Sequence, residues 1–226
     1  MNTISAAAPG KPVDSQYHVN IRHDVLHLVD KNPGRVLDVG GGAGATAAYL
    51  KAEHGASYAA VADAVALPPI PEIDLYRIGD LEDEAMWASI SEDAGPFDTI
   101  LCLDVLEHLV DPWQAVRRCC DLLSPGGTLI VSVPNARYHK LTFPLFFKGR
   151  FTLQDSGILD RTHLRWFVRE TAIDLVSQPG LDLESFEGGW YLNRARGIEK
   201  LAKAGIAPGF LFLNYFAKCR KVAAAG

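Results

Sequence analysis

Residues 36–47 read VLDVGGGAGATA, a short apolar run that carries an acid, Asp38, and opens into four glycines within five positions. A tight strand-to-helix turn needs only a glycine or two, so this density points to something that approaches the backbone closely. Gly40, Gly42 and Ala45 satisfy the G-x-G-x-x-G/A spacing of a dinucleotide loop, which keeps a nicotinamide-dependent oxidoreductase open. Asp38 points elsewhere. A carboxylate two residues ahead of Gly40 can hold the loop and attract a cationic ligand, which a pyrophosphate cofactor would not require.

Outward from that stretch, helices alternate with short buried strands. Strand one is predicted over 35–39 and a helix over 45–54, closed by Gly55. SYAAVAD (57–63) and DLYRIGD (74–80) read as strands two and three, and the nearly continuous apolar run FDTILCLDV (97–105) as a central strand covered on both faces. Asp111 can cap, and Pro112 can start, a helix whose Trp113, Val116, Cys120 and Leu123 share a face. Residues 124–127 then turn the chain into TLIVSV (128–133), strand five. A long irregular, aromatic-rich stretch, 135–167, precedes a helix (169–177), a strand (181–187), a helix through residue 199 and a last strand in FLFLNYFAKCRK (210–221). Ahead of strand one, Ile21, Val25, Leu28 and Val29 lie at helical spacing, predicting a helix over 16–29.

Ligands of open parallel sheets bind at the carboxyl ends of the strands. Asp63, at the end of strand two, can accept both hydroxyls of a ribose; in GDLED, Asp80 can accept from an exocyclic amine while Leu81 walls an adenine face. Those acids describe a nucleoside carrying amines and a positive charge. In order and spacing, VLDVGGGAG, the acid after strand two, GDLED, FDTILCLDVLEHLVDP and LSPGGTLIVSVPN resemble class I S-adenosylmethionine-dependent methyltransferases, over about residues 17–187. GILDRTHLRWF (157–167) is similar to a bacterial branch linked with glycosyltransferases and polysaccharide biosynthesis. The resemblance implies a doubly wound, Rossmann-like α/β fold: seven mostly parallel strands, the last antiparallel, helices on both faces, and a lid at about 135–167 within a domain of 16–226. It also implies S-adenosyl-L-methionine as cofactor, held by Asp38, Gly40, Gly42, Gly44, Asp63, Asp80, Leu81, Leu103 and Asp104, and a helix bearing Tyr17 and Arg22 closing over it. Two departures stand out. Gly41 replaces the usual loop cysteine, and the proline-rich VADAVALPPIPEIDL shortens the link after strand two, leaving the ribose register between Asp63 and its neighbour.

Methyl transfer from a sulfonium is an in-line displacement in which alignment does most of the work. In LDVLEHL, helical spacing puts Asp104, Glu107 and His108 on one face. His108 can take a proton from an acceptor hydroxyl near neutral pH; alternatively the three hold a divalent ion acting as Lewis acid, as implicated in quinone-pathway O-methyltransferases. The acceptor is expected against Asn135, Tyr138, His139, Arg161 and His163, with Asp160 and Arg165 nearby, a mixture suited to a sugar or glycoconjugate hydroxyl. A phenol or quinol is the alternative acceptor, and a non-catalytic cofactor-binding partner of a glycosyltransferase, an alternative function. LTFPLFFKGRF (141–151) can form a membrane-interfacial or homodimer surface.

The bulk numbers agree with a small-molecule enzyme. The chain has 226 residues, 48% hydrophobic, with a formal net charge of −5 and interspersed signs, so no basic stripe argues for nucleic acid. No run approaches a membrane span, and residues 1–15 read as a disordered leader without signal-peptide character. The four cysteines lack metal or framework spacing and read as reduced thiols of a cytoplasmic protein. His18, His23 and His27 have no acids or cysteines beside them in the pattern of a metal site.

Overall fold

The computed structural model describes residues 20–189 and 208–222. The expected leader, Tyr17, His18 and the helix through residue 199 lie outside them. Five strands, β1 (Arg35–Val39), β2 (Tyr58–Asp63), β3 (Leu75–Ile78), β4 (Phe97–Leu103) and β5 (Leu123–Pro134), pair in parallel. β6 (Leu181–Gly189) and β7 (Asn214–Lys221) complete a seven-stranded sheet of order β3-β2-β1-β4-β5-β7-β6, with β7 antiparallel to both neighbours. The order reverses between β1 and β4, so the carboxyl ends of these two strands flank the crevice where such sheets take ligands.

Strand alternation builds a core on each face. Leu37 and Val39 of β1 point into the larger one, filled by α2 (Glu84–Ala94), α3 (Pro112–Leu122) and α5 (Arg169–Val176). Val36, one residue out of phase, joins the second with Ala47, Ala48 and Leu50 of α1 (Ala45–Glu53) and with Val25 and Leu28. The caps follow from residue chemistry: Asp111 accepts from Gln114 N at 2.9 Å with Pro112 opening α3, and Asp83 accepts from Ala85 N at the start of α2.

Four elements differ from the sequence expectation. The described part of the segment expected as a helix over 16–29 holds turns and one 3-10 turn, Leu26–Leu28. Tertiary bonds outweigh its spacing: Arg22 N–H donates to Thr46 Oγ1, and its guanidinium binds Asp104 and Asp24. Helix α2 is absent from the pattern read above, although Met86, Trp87, Ile90 and Ala94 all turn inward at helical spacing. The last strand begins at Asn214, with Phe210 in a preceding 3-10 turn, Pro208–Phe210. After β5 the chain forms a helix, α4 (His139–Lys148), in the stretch expected to be irregular, and then loops up to Phe167, whose bridge to Asn135 closes the expected lid. Among the described residues no helix is long and apolar enough to cross a membrane.

Candidate functional site

The glycine loop answers first to the protein's own packing. Gly40, Gly42 and Gly44 adopt φ of 71°, 59° and 84°, which L side chains avoid. A Cβ on Gly40 would lie 2.4 Å from Val105 Cγ2, one on Gly41 2.4 Å from Asp38 Cγ, and one on Gly44 2.5 Å from Val61 Cγ2. Each glycine thus lets the loop lie flat between β1, β2 and the turn after β4. The acid ahead of them has a partner in the fold, the Ala47 N–H in the first turn of α1, yet stays strongly perturbed. Asp38 is 2% exposed, and burial, with the Asp63 charge adding, pushes its carboxyl up to about 7. A buried carboxyl in that state fits a cationic ligand, which would draw it back to the carboxylate. Asp63 is buried too, accepting from Gly42 N and Val65 N, each at 2.8 Å, so the acid itself, and not its neighbour, reaches the loop.

Farther along the edge, Asp80 is exposed and accepts from Glu82 N at 2.9 Å, leaving it accessible to a ligand. Leu81 departs from expectation: its side chain is buried in the larger core, and its carbonyl accepts from Trp87 Nε1 and an Arg118 N–H, so it presents no open wall. Leu103, half-buried, ends β4 and packs against the second core.

The residues after β4 do not form the single helical face that their spacing predicts. Asp104 is in the left-handed region at φ 55°, the lone such non-glycine among the described residues, and Leu106–His108 is one 3-10 turn. This kink sends Asp104 one way and Glu107 and His108 the other. Asp104 accepts from Arg22 Nη1 at 2.7 Å, from Ser132 Oγ at 2.7 Å and from Asn214 Nδ2 at 2.6 Å. Sequence reading missed Ser132 and Asn214; both are lone polar residues in apolar strand runs, a signal available in LIVSV and FLFLNYF.

Glu107 and His108 instead meet His163 of the lid, and one ligand atom from each of the three lies within 4.8 Å of the others. The ion set expected from sequence is corrected accordingly: Asp104 leaves it and His163 enters. Glu107 Oε1 lies 3.8 Å from His163 Nε2, and the His108 and His163 ring centroids are 4.7 Å apart, edge to face. Both Glu107 and His163 are buried, yet Glu107 Oε2 and His163 Nδ1 lack a hydrogen-bond partner. Burial holds the Glu107 carboxyl well above the usual carboxylate range, with the Asp104 charge adding, and holds the His163 imidazole below its usual value. His108 Nδ1 lies 3.0 Å from Thr162 Oγ1, whose hydroxyl sits 2.7 Å from Asp160 Oδ1. Because the single Thr162 proton goes to the Asp160 carboxylate, Thr162 Oγ1 accepts from His108 Nδ1–H, and His108 Nε2 keeps its lone pair.

The other expected acceptor residues divide. Asn135 is fully buried, its amide donating to the carbonyls of Gly209 and Phe212 at 2.7 and 2.8 Å while its oxygen accepts from Arg137 N. With every polar atom engaged, it ties β5 to the segment before β7 and is corrected from ligand to anchor. Tyr138 precedes α4, its ring tilted against that of His139, whose Nδ1 donates to Phe210 O. Arg161 pairs with Asp155 at 2.8 Å on the surface. Arg165 donates to Val110 O at 2.5 Å.

A family model described as "Methyltransferase domain" matches residues 13–185. The chain belongs to this family. It is an S-adenosylmethionine-dependent methyltransferase, which removes the oxidoreductase and non-catalytic readings of the glycine loop. The methyltransferase is similar to a ubiquinone biosynthesis O-methyltransferase of Xanthomonas axonopodis pv. citri (strain 306), 30% identical over 203 residues that cover 84% of this chain and 81% of the relative. A protein of the same description from Xanthomonas campestris pv. campestris (strain B100) is 34% identical over 138 residues, 58% of this chain and 55% of its own. Among solved structures, the methyltransferase resembles a chain of the complex between the Haloferax volcanii Trm112 methyltransferase activator and the putative methyltransferase. That match has a TM-score of 0.61 at 14% identity and covers 94% and 92% of the two chains. An S-adenosylmethionine dependent methyltransferase from Mesorhizobium loti follows at 0.57 and 17%, covering 86% and 94%. At these identities the structural likeness shows the fold.

Proposed function

We propose that this methyltransferase transfers a methyl group from S-adenosylmethionine to a phenolic or quinol hydroxyl of a small acceptor, with His108 taking the hydroxyl proton. The observation that carries the reading is the orientation of His108 by the Asp160–Thr162 pair, which leaves Nε2 free to accept. A phenol is a far stronger acid than an aliphatic sugar hydroxyl, which brings its proton within reach of an imidazole base. The curated relatives named for ubiquinone biosynthesis support the same choice and turn the reading away from the sugar or glycoconjugate expected from sequence. The glycosyltransferase link gains no support from them.

The residues fit the cofactor: Asp38 would meet the cation, Asp63 the ribose and Asp80 the adenine amine, over a loop that Gly40, Gly42 and Gly44 keep low. When bound, S-adenosylmethionine supplies a methyl carbon on a positively charged sulfur. That carbon would pass to the acceptor oxygen with the sulfur leaving as a neutral sulfide, and His108 Nε2 would take the oxygen's proton. Asp104, held by three donors, fixes the turn from which His108 projects. Tyr138 and His139 supply rings at the start of the lid.

A second reading, metal assistance, is favoured by the orphaned Glu107 Oε2 and His163 Nδ1. Glu107, His108 and His163 would hold a divalent cation that lowers the acceptor's pKa. The test is a panel of catechols, hydroquinones and monosaccharides assayed before and after chelation. Methylation of dihydroxy-aromatics and not of sugars supports the acceptor class, and sugar methylation overturns it. Full activity after chelation removes the metal; loss of activity restored by added cation supports it.

A further inference from the structure

Helix α4 buries Leu141 alone and turns its remaining apolar side chains outward. Phe146 and Phe147 are 83% and 72% exposed, flanked by Phe143, Leu145 and Phe151, each more than two-fifths exposed. The rings touch one another, Phe146 to Phe147 with centroids 5.0 Å apart and Phe143 to Phe147 at 6.0 Å, and Phe151 continues the patch to Trp166 at 5.6 Å. Contiguous exposed aromatic surface of this kind marks a contact surface rather than ordinary exterior. The charge around it is one-sided: residues 136–154 hold four Lys or Arg and no acid, in a chain whose net charge is −5.

We infer that α4 and the turn after it dock on the surface of a bilayer containing anionic phospholipid. Charge complementarity selects this occupant. A second copy of the chain would set one cationic rim against another, whereas anionic headgroups neutralise Lys140, Lys148 and Arg150 while the phenylalanines enter the boundary between headgroups and acyl chains. The element lies on the membrane and does not cross it, because α4 has ten residues with Pro144 inside. The inference goes beyond the acceptor reading and holds for any acceptor, since docking is read without turnover.

The test is sedimentation of the full-length protein with vesicles of phosphatidylglycerol and phosphatidylcholine in equal parts, against vesicles of phosphatidylcholine alone. The expected result is binding at least about 10-fold tighter to the anionic vesicles, weakened by added salt. Two exposed pairs, Phe146→Ser with Phe147→Ser and Lys148→Glu with Arg150→Glu, should each lower that binding by about 10-fold or more. Their circular dichroism and cofactor affinity should remain those of the unmodified protein. Failure of the unmodified protein to bind anionic vesicles overturns the inference, and so does binding that neither pair weakens. So does a dimer in sedimentation velocity that dissociates in the Phe146→Ser, Phe147→Ser variant, which would assign the face to a second copy.

Discussion

Asp38 and Thr162 carry the sharpest consequences for single residues. A buried carboxyl pushed up to about 7 keeps its proton in the fold at pH values where the unfolded chain, with a carboxyl near ~3.9, has released its own. Unfolding therefore gains on folding as pH rises from about 4 to about 7, and this contribution flattens above that. The ligand-free protein should lose stability across the window by an amount on the order of 4 kcal/mol from this group, a slope that Asp38→Asn removes in denaturant titrations at several pH values. Cofactor affinity should move the opposite way. A cation binds the carboxylate, so affinity measured by calorimetry should rise toward pH 7 by up to about 10-fold per pH unit and level off beyond it; an affinity flat in pH contradicts the pairing. Thr162 relays the Asp160 carboxylate to His108. Thr162→Val should lower kcat by about 10-fold or more with KM for the cofactor unchanged, and Thr162→Ser should restore it. Equal loss in both variants would reduce Thr162 to a packing residue.

At the scale of elements, the loop after β1 and the turn after β4 form one unit, because Val105 fills the space that a Cβ on Gly40 would need. Gly44→Ala imposes both a left-handed alanine and a contact 2.5 Å from Val61, and should cost about 2 kcal/mol or more together with cofactor affinity, read by thermal melts and calorimetry. The start of α3 is simpler: Asp111→Ala removes one side-chain cap and should cost about 1 kcal/mol without touching turnover. These elements are visible in sequence because local chemistry decides them. Pro112, Asp111 and the apolar run of β4 each act over a few residues. The turn at 104–108 is not visible in that way. The spacing in LDVLEHL suits a helix, and it is the Asp104 bonds to Arg22, Ser132 and Asn214, from segments between 28 and 110 residues away, that hold the kink. His163 joins Glu107 for the same reason: Leu164 N and Arg165 N both donate to the Glu107 carbonyl, pinning the lid to the turn. No periodicity encodes such a meeting.

For the whole molecule, the order of strands explains why the expected cofactor acids come to one edge while the expected acceptor residues scatter. Asp38, Asp63 and Asp80 lie at or just beyond neighbouring strands β1, β2 and β3, so a parallel sheet brings them to one edge once the strands are recognised. The residues expected to meet the acceptor lie in the lid, whose path depends on contacts between distant segments, and Asn135, expected among them, serves the fold instead. Ligand linkage spans the same whole: S-adenosylhomocysteine at 100 times its Kd should stabilise the fold by about 2.7 kcal/mol, raising Tm in a scan, and Asp38→Ala should abolish the shift. The central claim is that a cofactor site built around Asp38 serves a transfer assisted by His108. It is tested most directly by measuring S-adenosylmethionine affinity and single-turnover methylation of a catechol in parallel for the unmodified protein and for His108→Ala. The account predicts unchanged affinity with transfer slowed by about 100-fold or more. Transfer at the unmodified rate in His108→Ala would contradict it.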